Sequence, residues 1–315
     1  MLGRPRYKNQ LVYLFTAFCL CMHVCLFAQD TLLQKKTIVF ATPDTTTLKM
    51  DIYGLNNDTA KKPCILFMFG GGFIAGNRDS KNYSEYFKLL VSHHFIVVSI
   101  DYRLGLKGKK LGVFNTKPLQ TAIGLAVTDL YSATNYLLAN AAMYGIDTSI
   151  IILSGSSSGA ITVMSAEWEK CNATKTASAL PAGFNYAGVI SFAGAIFSTS
   201  GKPSYKTPPS PIMMFHGTKD KLVYYNKRSF LWKGIFGSAS LAGVFEKKKY
   251  PYYFQRVVGK GHEIAETPMI TNQQDIIWFI EEYIFKKKRY LVDVRFNDLD
   301  AKQTFTQSAK DIYEK

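Results

Sequence analysis

The chain has 315 residues, of which 47% are hydrophobic and 19% charged. That is enough apolar material to build a large core without disulfide or metal staples, and it excludes a disordered, collagen-like or coiled-coil chain. The 38 lysines and arginines against 23 aspartates and glutamates leave a formal charge of +15, so the distribution of that charge has to be read before its meaning.

The positive excess is scattered. Beyond the first residues it falls in short clusters at Lys107–Lys110, Lys247–Lys249 and Lys286–Arg289, none interleaved with a nucleic-acid-binding motif. These read as solvated loops and helix ends, and no nucleic-acid partner is expected.

Residues 1–28 form a segment of their own. Arg4, Arg6 and Lys8 precede an apolar run from Leu11 to Ala28, and no acid occurs before Asp30. A basic start, an apolar middle and a small exit residue are the pattern of a secretory signal, with cleavage expected after Ala28 and export to the periplasm or medium. An uncleaved N-terminal anchor is the alternative, because 18 apolar residues reach the lower limit for a spanning helix. Cleavage would leave no stable membrane span. Three of the five cysteines lie in this segment; Cys64 and Cys171 remain, too few for a disulfide framework.

The rest of the chain alternates. Thr37–Ala41 and Leu48–Tyr53 read as short strands, and Cys64–Phe69 as a fully buried strand ending in Gly70-Gly71-Gly72. Helical spacing follows at Tyr83–His93, a buried strand at Phe95–Ile100, and a long helix at Pro118–Ala142. Ile150–Leu153 is a third buried strand, followed by a helix over Ala160–Lys170. Ala187–Phe192 and Pro211–Phe215 read as strands, Tyr224–Gly243 as mostly helical with glycine breaks, Tyr252–Val258 as the last core strand, and Asn272–Phe285 as a helix. Strands alternating with helices predict one α/β domain over residues 29–289, built on a mainly parallel sheet with helices on both faces. Residues 290–315 read as a polar extension.

Three groups of residues carry chemistry. Gly155-Ser156-Ser157-Ser158-Gly159 fits G-x-S-x-G and sits between a strand and a helix, the setting that projects a nucleophilic serine from a sharp turn. Downstream, the strand ending at Phe215 runs into His216-Gly217-Thr218-Lys219-Asp220, and the strand ending at Val258 into Gly259-Lys260-Gly261-His262. Ser157, Asp220 and His262 thus come in the order nucleophile, acid, base, each just past the carboxyl end of a strand, where open α/β sheets build their sites. Glu263 is a minor rival to Asp220, and His216 reads as structural. Gly70–Gly72 could turn backbone N–H groups toward a developing oxyanion.

These motifs resemble the α/β-hydrolases of the carboxylesterase and hormone-sensitive-lipase-like family, as in secreted bacterial esterases. The resemblance covers roughly residues 36–286. It rests on Phe69-Gly70-Gly71-Gly72-Phe73, Asp101-Tyr102-Arg103-Leu104, Tyr144-Gly145-Ile146-Asp147, the serine pentapeptide, His216–Asp220 and Gly261-His262-Glu263. It implies Ser157 as nucleophile, Asp220 as acid, His262 as base, and the N–H groups of Gly71, Gly72 and Ser158 as oxyanion donors. It implies no metal or organic cofactor, and a structural role for Asp101-Tyr102-Arg103. Phe69 departs from the family's histidine, which bears on loop geometry more than on chemistry.

The expectation is therefore a serine hydrolase of carboxylic esters, acting on short-chain or aromatic acyl esters, including esters carried on polysaccharide. A serine peptidase of the same fold, a catalytically silent binding protein on that fold, and an anionic-glycan-binding module are the alternatives. Residues 171–186 and 194–210 leave no room for a lid of two helices, the second being rich in proline. No large cap domain is expected, and the site is expected to be uncovered.

Overall fold

A computed structural model describes residues 33–55, 60–109, 115–230 and 232–313. The segment read as an export signal lies outside the described residues. No helix among the described residues is long and apolar enough to cross a membrane.

The apolar runs become the middle of a nine-stranded sheet. In chain order its strands are β1 (Lys35–Ala41), β2 (Leu48–Tyr53), β3 (Lys62–Met68), β4 (Ile96–Ile100), β5 (Ile146–Ser156), β6 (Gly188–Phe192), β8 (Ile212–Gly217), β11 (Tyr252–Val257) and β12 (Leu291–Phe296). In space they run β1-β2-β4-β3-β5-β6-β8-β11-β12. Only the pairs β1/β2 and β2/β4 are antiparallel. β4, β6 and β8 are buried at every position. That is why they read as unbroken apolar runs, while the outer strand β1 is mostly exposed.

Helices supply the other half of the core: α1 (Ser84–Ser92), α2 (Lys117–Ala139), α3 (Ala141–Tyr144), α4 (Ser158–Cys171), α5 (Ser238–Lys248), α6 (Pro268–Thr271) and α7 (Gln273–Phe279). Tyr86, Leu130, Val163, Phe245 and Phe279 from these helices join one apolar cluster with the sheet. The hydroxyl of Tyr131 on α2 donates to the carbonyl of Ala166 on α4 at 2.7 Å, which satisfies a buried polar atom between two helices.

Four expectations change. The helix read over Pro118–Ala142 ends at Ala139, where the Asn140 amide donates to the Tyr136 carbonyl. β5 is eleven residues long and starts at Ile146. Tyr224–Gly243 is not mostly helical: β9 (Lys227–Phe230) and β10 (Lys233–Gly237) pair antiparallel, and β10 pairs with β7 (Ala195–Ser198) in a second, three-stranded sheet. Two of its glycines, Gly234 and Gly237, serve close approach rather than helix breaking. A side chain at Gly234 would collide with β9, and one at Gly237 with the Tyr224 carbonyl. Finally, the polar extension begins inside the main sheet. β12 pairs parallel with β11 from Tyr252↔Leu291 to Val257↔Phe296. The chain then turns back to the site and ends its described course in α8 (Ala309–Tyr313).

Candidate active site

The carboxyl ends of β3, β5, β8 and β11 carry the four segments singled out in the sequence. Between β5 and α4 the chain reverses within a residue or two. A side chain at Gly155 would strike the Gly159 backbone, and one at Gly159 would strike the Met68 carbonyl. Ser157, at the apex, is held at φ 50°, ψ −115°, a conformation that non-glycine residues adopt only under constraint. Its N–H donates to the Phe192 carbonyl of β6 at 2.9 Å, which supplies part of that constraint.

The structure brings Ser157, His262 and Asp220 into one hydrogen-bonded chain. Ser157 Oγ lies 2.7 Å from His262 Nε2, and His262 Nδ1 lies 2.7 Å from Asp220 Oδ2. All three are buried, with Ser157 8%, His262 7% and Asp220 5% exposed. An ionised Asp220 can only accept, so Nδ1 carries the proton and Nε2 presents a lone pair to the serine hydroxyl.

Asp220 is surrounded by donors. Its Oδ1 accepts from the N–H groups of Leu222 and Val223 at 2.9 and 3.0 Å. Its Oδ2 takes His262 and has His216 Nε2 at 3.4 Å. Burial alone would raise its pKa, yet the hydrogen bonds from His216 and His262 outweigh it and hold the carboxyl well below its usual range. His216 is the partner that sequence reading set aside as structural. Its Nε2 donates to the Val223 carbonyl at 2.9 Å and its Nδ1 faces Ser238 Oγ at 2.8 Å, so it holds the Asp220 loop rather than the nucleophile.

Glu263 points elsewhere. Its Oε2 accepts from the N–H groups of Gly261 and Phe305, and its Oε1 from that of Thr304. It organises the loop that carries His262 and does not compete with Asp220.

The glycine loop after β3 is held at two successive residues. The Gly70 N–H donates to the Tyr83 hydroxyl at 2.9 Å, and the Gly71 carbonyl accepts from the N–H groups of Ile74 and Ala75 at 3.1 Å each. Gly71 and Gly72 sit at φ 131° and 64°, where a side chain is strained. The Gly71 and Gly72 N–H groups take no part in those bonds, and the Ser158 N–H, in the first turn of α4, has no helical partner. Phe69, in place of the family's histidine, stacks on Tyr102 with ring centroids 4.5 Å apart, and the Tyr102 hydroxyl donates to the Phe69 carbonyl at 2.9 Å. A stacked aromatic pair thus supports the loop. The neighbours of Tyr102 are structural as well: Asp101 pairs with Arg78, and Arg103 grips Asp129 with two nitrogens.

Two cavities meet at Ser157. One, of about 680 Å³, is lined by apolar groups that include Phe73, Phe197, Phe230 and Trp232, together with Ser158. The other, of about 640 Å³, contains His262 and mixes polar side chains such as Asn82, Glu266 and Thr304 with apolar ones such as Ile74, Leu222 and Ile312. The expected uncovered site is therefore corrected. No helical lid occurs among the described residues, but the β9–β10 hairpin walls the apolar cavity and the segment after β12 contributes to both.

A mainly parallel sheet, a strained serine between strand and helix, and an acid and a base on later strand ends are the features of the α/β-hydrolase fold, and this chain has that fold. Residues 50–196 match the family model described as BD-FAE, a stretch that contains the glycine loop and Ser157. Over 119 residues the chain is 29% identical to Esterase B1 of Culex pipiens, and over 106 residues 32% identical to Neuroligin-2 of Mus musculus. These matches take in 37% and 34% of this chain and 21% and 12% of those proteins. Among solved structures, esterase 2 of Thermogutta terrifontis superposes with a TM-score of 0.57 in its apo form, at 18% identity over 81% of this chain and 95% of that one. Its butyrate-bound form gives 0.56, at 16% identity, covering 81% and 94%.

Proposed function

We propose that this protein is a serine hydrolase of carboxylic esters. The observation that carries the reading is the unbroken hydrogen-bonded chain from Ser157 through His262 to Asp220 at the meeting point of two cavities. His262 Nε2 takes the hydroxyl proton as Ser157 Oγ bonds to the ester carbonyl carbon. The Gly71, Gly72 and Ser158 N–H groups receive the oxyanion. The imidazolium, stabilised by Asp220, then gives that proton to the departing alkoxide, leaving an acyl-serine. Water repeats the sequence and releases the carboxylic acid.

The same proton path assigns the cavities. The leaving alkoxide must lie on the side of His262, so the cavity that contains His262 takes the alcohol and the aromatic-lined one takes the acyl group. A volume of about 680 Å³ lies in the range of pockets for drug-sized ligands and far exceeds an acetyl group. The reading that follows is an ester of an aromatic or medium-length apolar acid, a description that includes acylated polysaccharide. Esterase 2 of Thermogutta terrifontis in its butyrate-bound form lends support for an acyl group in such a fold. Export follows the same logic, supported by the basic and apolar pattern of residues 1–28.

A series of p-nitrophenyl esters from acetyl to dodecanoyl and cinnamoyl, with acylated oligosaccharides alongside, tests this. Turnover of cinnamoyl or hexanoyl esters above acetyl, abolished in Ser157→Ala, is the expected result. Amide cleavage without ester cleavage would overturn it in favour of a peptidase.

A further inference from the structure

Residues 297–313 lie beyond the stretch that resembles the hydrolase family, and they are the part of the chain whose role the sequence left open. After β12 the backbone crosses the mouth of the site. The Glu263 carboxylate holds the N–H groups of Thr304 and Phe305, the Lys260 ammonium reaches the Lys302 carbonyl, and the Ala309 N–H donates to the Lys221 carbonyl. This stretch is thereby tied to the two loops that carry His262 and Asp220. Its own last turn is closed by Ser308, whose N–H and hydroxyl both reach Asp311 at 2.7 Å.

Two side chains of this stretch touch the reacting groups or their immediate support. The Phe305 ring meets the His262 ring at 5.3 Å between centroids and 61° between planes. The Tyr313 hydroxyl donates to the Gly72 carbonyl at 3.0 Å. That bond links residues 241 positions apart and holds the loop at its third glycine. Gly70 is held at its N–H by Tyr83 and Gly71 at its carbonyl by the next turn, while among the described residues the side chain that bonds Gly72 is that of Tyr313. Two successive residues at positive φ have wide backbone freedom unless something holds the peptide that follows them. Tyr313 is also packed tightly there, since a side chain on Gly72 would collide with its hydroxyl. Burial pushes the phenol up to about 12, so it remains a donor at every working pH. Tyr313 lines both cavities, which places it between the acyl and alcohol sides.

We propose that residues 297–313 form a strap that completes the active site, and that Tyr313 is a positioning residue which sets the Gly70–Gly72 loop through the Gly72 carbonyl. It does not touch the reacting atoms. It acts by keeping the loop's N–H groups where an oxyanion forms, and misplacement of such donors lowers the rate of the chemical step more than it weakens substrate binding. The kinetic side of this inference rests on the esterase reading; the loop-positioning side does not.

The test is Tyr313→Phe in the full chain, which removes one oxygen and keeps the ring. Hydrogen–deuterium exchange over residues 70–76 should quicken in the variant, with Tm close to that of the wild type. With p-nitrophenyl hexanoate, kcat should fall about 10- to 100-fold while KM changes less than threefold. Lys310→Ala, exposed on the same helix, should leave both readouts unchanged. Unaltered exchange over 70–76 in Tyr313→Phe overturns the positioning role, whatever the activity. Faster exchange with kcat unchanged overturns its bearing on catalysis. Faster exchange in a protein whose wild type cleaves no ester would leave the loop contact standing and sink the esterase reading instead.

Discussion

Residues 50–196 and residues 197–313 contribute to one site in different ways. The first stretch holds the glycine loop and Ser157 on β3 and β5, adjacent strands paired from Lys62↔Ile146 to Met68↔Gly155. Its chemistry is written in short motifs, because the turn after β5 is so tight that glycines are required on both sides of the serine. The second stretch brings Asp220 and His262 on β8 and β11, again paired strands, but it also brings the hairpin wall and the strap. These last parts depend on contacts between residues far apart in sequence. On the proposed esterase reading the labour is divided: residues 50–196 supply the nucleophile and the oxyanion donors, and residues 197–313 supply the base and the acid and shape what they act on.

The largest effects test whether that division is real. Ser157→Ala should cost on the order of 10⁴- to 10⁶-fold in kcat with Tm unchanged, and His262→Ala should match it, since members of such a unit are not additive. If Ser157→Ala retained even a tenth of wild-type turnover, the bond-breaking role of the first stretch would be lost.

Asp220→Asn should come next, at about 10⁴-fold or somewhat less, through loss of the correct imidazole tautomer. It also has a stability signature. The Asp220 carboxyl titrates lower in the folded chain than its ordinary value of 3.8. Its ionised form therefore stabilises the fold above that pH, and the contribution is lost as pH falls through the folded value. The Tm gap between wild type and Asp220→Asn should be widest near neutrality and narrow below about pH 4. A gap that is constant from pH 7 to pH 3 would contradict the low carboxyl pKa.

How much of each stretch could be read from the sequence follows from the range of the interactions involved. The elbow at Ser157 was legible because its glycines at 155 and 159 answer a local steric demand. Asp220 and His262 were legible because each follows an apolar run on a glycine-marked strand end. The hairpin was not. Its two strands are joined across Leu231-Trp232, which lack the Gly, Asn or Asp that usually announces such a turn, and its stability comes from pairing with β7. β12 was missed because Leu291–Phe296 carries charged residues at Asp293 and Arg295 and lies at a sheet edge, where no continuous apolar run is needed. The Tyr313–Gly72 bond has no local signature at all. Phe69 shows a different limit: the departure from histidine was visible, but its compensation by the Tyr102 stack was not.

A sharper test of the second stretch is substrate choice. Phe230 and Trp232 are 72% and 69% exposed at the rim of the apolar cavity. Phe230→Ala with Trp232→Ala should raise KM for cinnamoyl or octanoyl esters about tenfold, the equivalent of ~1.4 kcal/mol of lost apolar contact. It should leave acetyl esters within twofold. Equal losses on both would mean that the hairpin supports the fold and does not select the acyl group.

The smallest effect concerns the seam between the two stretches. Glu167, on α4, is fully buried, and its Oε1 accepts from the N–H and hydroxyl of Ser210, across from the first stretch into the second. Its Oε2 has no hydrogen-bond partner among the described residues, and burial pushes its pKa up. A carboxyl whose folded pKa lies above its unfolded value near 4.5 contributes most to stability below that pH, and the contribution is lost as pH rises through the folded value. Above it, the fold carries an ionised carboxylate with one oxygen unsatisfied, at a cost of ~1–3 kcal/mol. Glu167→Gln keeps the acceptor for Ser210 and cannot ionise. Thermal unfolding should therefore show wild type losing stability from pH 5 to pH 8 relative to Glu167→Gln, with no change in kcat at either pH. If the two proteins kept a constant Tm difference across that range, Glu167 would already be ionised in the folded chain at pH 5, and the upward push of burial on its pKa would be refuted. Its bond to Ser210 would then join the two stretches without any dependence on pH.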